Sequence, residues 1–67
     1  MEGTIKKLIR DRGFGFILGQ NGQDVFFHRS SLEQLNFDSL REGLNVEFEL
    51  HRSEKGPRAA NVRATRI

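Results

Sequence analysis

The chain has 67 residues and no cysteine, and its 11 Lys and Arg against 9 Asp and Glu give a formal charge of +2. That length makes it one domain, residues 1–67, which buries only about 60% of the surface its unfolded chain exposes, so a large apolar side chain left outside needs a reason. Without cysteine there is neither a disulfide framework nor a thiolate metal site, and without a long apolar run or signal-type segment the expectation is a soluble cytoplasmic protein.

Several segments alternate with period two, and none sustains a period of 3.6. Gly3 to Arg10 is an imperfect first strand, with Ile5 inward and two lysines following. Gly13 to Leu18 puts Phe14 and Phe16 on one face and Gly13, Gly15 and Ile17 on the other. Gly19-Gln20-Asn21-Gly22-Gln23-Asp24 is a turn by composition, which makes a hairpin with Val25 to Arg29. In that third strand Val25 and Phe27 share one face, Phe26 and His28 the other. Ser30 to Gly43 breaks the alternation and reads as a long loop with room for one helical turn after Ser30 or Ser31. Leu44 to Leu50 gives the clearest pattern, with Leu44, Val46, Phe48 and Leu50 inward. Glu54 to Arg58 is a turn, and Ala59 to Val62 a short fifth strand. Five strands this short are too few for a sandwich, whereas a closed barrel removes exposed edges. The fold class is all-β.

The distribution of charge says more than its total. Lys6, Lys7, Arg10 and Arg12 crowd the N-terminal segment, and Arg52, Lys55, Arg58, Arg63 and Arg66 the C-terminal one. The acids gather between them, at Glu33, Asp38, Glu42, Glu47 and Glu49. If the two ends meet in space, one side of the molecule is basic and the other acidic.

A phenylalanine normally belongs to the core. With Phe14 and Phe16 inward, however, Ile17 would point to water and the glycines would leave the outer face bare. With both rings outward, Ile17 joins the core and the glycines let neighbouring backbone come close. The third strand agrees, since Val25 and Phe27 supply a consistent core face. Pairing the two strands then sets Phe14, Phe16, Phe26 and His28 side by side. Exposed rings flanked by cations suit a single strand of nucleic acid, whose bases stack on the rings while Lys and Arg follow the phosphates.

Arg12-Gly13-Phe14-Gly15-Phe16-Ile17 resembles the first ribonucleoprotein motif of the cold-shock domain, and Val25-Phe26-Phe27-His28-Arg29-Ser30 resembles the second. Gly3, the Glu42-Gly43 turn and Lys55-Gly56-Pro57-Arg58-Ala59-Ala60-Asn61-Val62 match as well, so the resemblance covers nearly the whole chain. It implies a five-stranded antiparallel oligonucleotide-binding barrel, the OB-fold. It also implies a binding face of Phe14, Phe16, Phe26, His28 and Phe37, with Lys6, Lys55 and Arg58 around it. A passive chaperone for single-stranded RNA or DNA, acting in transcription or translation, is the function that follows from the resemblance; a barrel this small needs no partner to close, so a monomer is expected. No cofactor is required.

Three departures stand out. The first-strand Lys-Trp-Phe-Asn of most cold-shock proteins is Lys6-Lys7-Leu8-Ile9 here, so Lys7 replaces the tryptophan that stacks a base. Arg29 occupies the position of the aromatic that usually follows the histidine. Arg12 opens the first motif in place of the commoner lysine and keeps the charge. Arginine can still stack through its guanidinium plane, whereas lysine supplies mainly a point charge. Weaker stacking and a larger share of phosphate electrostatics are therefore expected. His28, beside Phe26, could stack on a base or hydrogen-bond a base edge, and an imidazole there would couple binding to pH around neutrality.

Gly13-Phe14-Gly15 lacks the third glycine and following helix of a nucleotide-phosphate fingerprint. His28 and His51 lie on different segments without zinc-site spacing, and Ser30, two residues after His28, is not expected to form with it a nucleophile–base pair completed by an orienting acid. The chain reads as a non-enzyme. The other reading the rings allow is a small barrel that docks a protein partner on its aromatic patch.

Overall fold

The alternating segments become five strands: β1 (Glu2–Ile9), β2 (Phe14–Gly19), β3 (Asp24–His28), β4 (Asn45–Ser53) and β5 (Gly56–Ala64). The computed structural model describes residues 1–33 and 35–65; Arg66 of the C-terminal basic group lies outside the described residues. The strands close into a barrel in the order β1-β2-β3-β5-β4. β1 pairs antiparallel with β2 and with β4, β2 with β3, and β4 with β5. The barrel departs from an antiparallel one at the closing seam, where β3 and β5 meet in parallel at Phe26 and Arg58.

The core follows the alternation. Ile17, Val25, Phe27 and Val46 are fully enclosed, and Phe48 and Ile5 nearly so. Two irregularities in the ladders decide which residues join them. In β1 the register with β2 shifts between Ile5 and Lys7, so Lys6 is an extra residue opposite no single partner. A strict alternation from Ile5 would send Lys7 inward; the bulge returns it to the outer face and brings Leu8 in over Gly15. In β5 the register with β4 shifts across Phe48, and Asn61 adopts φ 51°. Ala59 and Val62, three residues apart, thereby both point inward with no exposed surface.

The turn expected over Glu54 to Arg58 is shorter than that. Ser53 pairs with Gly56, so Glu54 and Lys55 alone form the tip, and Pro57 and Arg58 already belong to β5. Pro57 has no N–H to donate and sits at the strand's start, ahead of the pairing with β3, where that loss is tolerated. The long loop holds two short 3-10 turns, Arg29–Ser31 and Phe37–Ser39. His28 caps the first by accepting from the Ser30 N–H, and Asn36 caps the second by accepting from the Asp38 N–H.

The second turn corrects the placement of Phe37. Its ring was expected on the outer face, but it is 8% exposed and lies 6.2 Å from the Phe27 ring. The cap on Asn36 closes the turn, and the short backbone then directs Phe37 into the core beside Phe27.

Candidate nucleic-acid interface

Two rows of side chains cross the outer face of the barrel. In one, Lys7 on β1 stands opposite Phe16 on β2, Phe16 opposite Phe26 on β3, and Phe26 opposite Arg58 on β5. In the other, Ile9 stands opposite Phe14 and Phe14 opposite His28. Directly opposed residues point to the same side of a sheet, so each row presents its side chains together.

The three phenylalanines form one aromatic cluster. Phe14 and Phe26 lie 5.5 Å apart and tilted, while Phe16 meets Phe26 at 6.0 Å and Phe14 at 6.2 Å, both edge to face. Edge-to-face and tilted contacts are the arrangements that aromatic pairs favour. All three rings are partly exposed, as is His28. What holds them out is the crowding beneath. A Cβ on Gly15 would come within 2.5 Å of the Lys7 carbonyl oxygen and 2.9 Å of the Phe27 ring. Only glycine lets Phe27 fill the core directly under Phe14 and Phe16.

The cations occupy distinct places around the rings. The Arg58 guanidinium carbon lies 5.8 Å from the centroid of Phe26, within cation–π range. Lys55, at the β4–β5 tip, shares with Arg58, Pro57, Phe16 and Phe26 a groove beside the rings. Lys7 is exposed at the opposite end of the row. Lys6 is turned to the side, and its ammonium donates to both carboxylate oxygens of Asp24 at 3.1 Å. Arg12 is exposed in the turn between β1 and β2.

Arg29 lies against the backbone at the end of the first motif. Its N–H donates to the Gly13 carbonyl at 2.8 Å, and its side chain covers Gly13, which has φ 72°. A Cβ there would meet the Arg29 Cδ at 2.9 Å. The guanidinium borders a groove that also includes Arg10, Leu35 and Phe37, rather than the three rings. Arg10 is spent on the fold: its guanidinium donates to the carbonyls of Leu40 at 2.8 Å and Asp38 at 3.3 Å.

The His28 ring is pinned. Its Nδ1 accepts the Ser30 N–H at 3.2 Å and lies 2.9 Å from the Ser30 hydroxyl. That acceptor role at Nδ1 puts the proton of the neutral ring on Nε2, which is left as the ring's donor.

The structure thus brings Lys7, Phe14, Phe16, Phe26, His28, Lys55 and Arg58 to one surface, with Arg12 exposed at its end and Lys6 and Arg29 turned aside. The expected basic side is interrupted, because Arg63 faces Glu47 at 3.6 Å on the β4–β5 ladder. Ile9, which adds an apolar neighbour to Phe14, and Pro57, which walls the groove, escape a reading of the sequence. Ile9 would have been found only by placing the β1 bulge. Among the described residues no group of His, Asp and Glu is arranged to hold a metal ion, and no helix is long and apolar enough to cross a membrane.

The 'Cold-shock' DNA-binding domain matches residues 1–65 of the chain. Cold shock protein 1 of Lactiplantibacillus plantarum is 47% identical over 60 residues, covering 90% of this chain and 91% of that protein. The cold shock-like protein CspC of Bacillus cereus is 45% identical over 62 residues, covering 92% and 95%. The major cold shock protein of Streptococcus pyogenes serotype M6 is 43% identical over 61 residues, covering 91% of each chain.

Proposed function

The chain belongs to the cold-shock DNA-binding domain family, and on that premise we propose that it binds single-stranded RNA or DNA by stacking bases on Phe14, Phe16 and Phe26. The row Lys7–Phe16–Phe26–Arg58 carries this reading: two adjacent rings stand between two cations, all on one outer face. A base on each ring would leave its phosphates near the cations at the row's ends. Stacking needs an unpaired base, so the same face disfavours a duplex. Binding is then a passive act that holds the strand open, which is how an RNA chaperone or a regulator of transcription or translation would work. No bond is made or broken and no cofactor is consumed.

Compared with a face carrying an aromatic at position 7, this one has one platform fewer and one cation more. Electrostatic contact with phosphate therefore supplies a larger part of the affinity, and binding weakens more steeply with salt. Anisotropy titrations of labelled pyrimidine-rich single strands, in RNA and DNA form, against the matching duplexes test the reading. Tight binding to single strands and weak binding to duplex is the expected result. Equal affinity for duplex would reject stacking as the mode of binding, and no binding to any strand would assign the patch to a protein partner instead.

A further inference from the structure

We propose that the nucleic-acid path does not end at Arg58 but continues around the barrel onto β4, where His51 contacts the phosphodiester backbone. This rests on the single-strand reading above and extends it. His51 is the register partner of Arg58 in the β4–β5 ladder, so the row of opposed outer residues runs His51, Arg58, Phe26, Phe16, Lys7 over all five strands. The alternation of β4 fixes its direction. Val46 and Phe48 are buried and Leu50 packs on the core, which leaves Glu49 and His51 facing out.

The charges around His51 define a path with a border. Arg58 stands opposite it, Lys55 lies at the hairpin tip beside Glu54, and Arg52 alternates to the other face of β4; the three cations are exposed. Among the described residues, ion pairs join Lys6 to Asp24 and Arg63 to Glu47, and none engages these three. Two residues back along the same face, at roughly 7 Å, stands Glu49. A phosphate leaving Arg58 thus meets a donor at His51 and repulsion at Glu49, and is steered toward Lys55 and the tip. Beyond Phe26 the row holds no phenylalanine, so bases find no ring like those of β2 and β3 across this step. The contact is to the backbone, and it carries no base preference.

Because Lys7 and His51 lie at opposite ends of the row, the two should serve opposite ends of a bound strand. The test uses a dT4 core carrying three abasic nucleotides on its 5′ side or on its 3′ side, titrated into wild type, His51→Ala and Lys7→Ala. Abasic nucleotides keep the phosphates and remove the bases. His51→Ala should bind one of the two extended strands roughly tenfold less tightly than wild type, as expected for a hydrogen bond to a charged group. Lys7→Ala should show its larger loss on the other. An equal loss on both extended strands, or wild-type affinity of His51→Ala for both, would overturn the extension. If wild type fails to bind even long oligo-dT, the fault lies with the single-strand reading itself. Circular dichroism of both variants checks that the barrel is intact.

Discussion

Lys7 faces Phe16 across the β1–β2 ladder because Lys6, its neighbour, is bulged out of register. That one extra residue turns what would be a buried position into the end of the aromatic row. It also separates the two lysines, sending Lys6 to Asp24 and leaving Lys7 beside the rings.

Replacing Lys7 by tryptophan should restore a stacking platform next to Phe16. Lys7→Trp is expected to bind a pyrimidine-rich strand more tightly, with log affinity falling less steeply against log salt by about 0.7, the contribution of one phosphate on a single strand. Titrations at several salt concentrations give both quantities. An unchanged slope would remove Lys7 from the phosphate path.

Asp24 holds Lys6 in an exposed ion pair, with each side chain about half accessible to solvent. Such a pair adds little to stability. Asp24→Asn should leave the melting temperature nearly unchanged while freeing a cation at the edge of the face. Affinity at low salt should rise and the salt slope steepen. Weaker binding would mean that Lys6 is better placed when paired.

Gly15 supports the face from below. Gly15→Ala would drive a methyl group into the Lys7 carbonyl and the Phe27 ring, so a large loss of thermal stability is expected. Gly22→Ala is a useful contrast at a position with φ 80° and open space around it, where only backbone strain applies. Thermal melts of the two should show the Gly15 change to be the more damaging. The reverse order would mean that the barrel gives way easily under the rings.

Phe27 and Phe37 are neighbours in the core, whereas Phe26 belongs to the surface. Truncating Phe27 should destabilise by about 3–5 kcal/mol, enough to unfold a small barrel. Phe37→Ala should likewise lower the unfolding midpoint. Phe26→Ala should leave it far less affected and reduce binding instead. Denaturant titrations beside binding titrations separate the three.

Much of this was legible in the alternation of the chain. The glycines beside Phe14 and Phe16 oriented β2, and Val25 and Phe27 oriented β3, so the aromatic cluster followed from residues alone. The bulges were not legible, because a bulge is a property of two paired strands and leaves no period in either one. Ile9 on the outer face and the inward pair Ala59 and Val62 were lost for that reason. Phe37 sits in a segment without periodicity, and only the closing of its short turn decides that the ring goes inward. Arg10 and Arg63 show the limit of counting charge: both are cations of the basic ends, yet one holds loop carbonyls and the other faces Glu47.

Stacking on the outer rings is tested most directly by titrating a labelled pyrimidine-rich strand into wild type, Phe16→Ala and Phe26→Ala at about 50 and 200 mM salt. The chain has no Trp or Tyr, so the label belongs on the strand. Each substitution should cost roughly 1–3 kcal/mol of binding at both salts, with the barrel still folded. Wild-type affinity in both variants would contradict the account, because the rings would then be surface residues that no base touches.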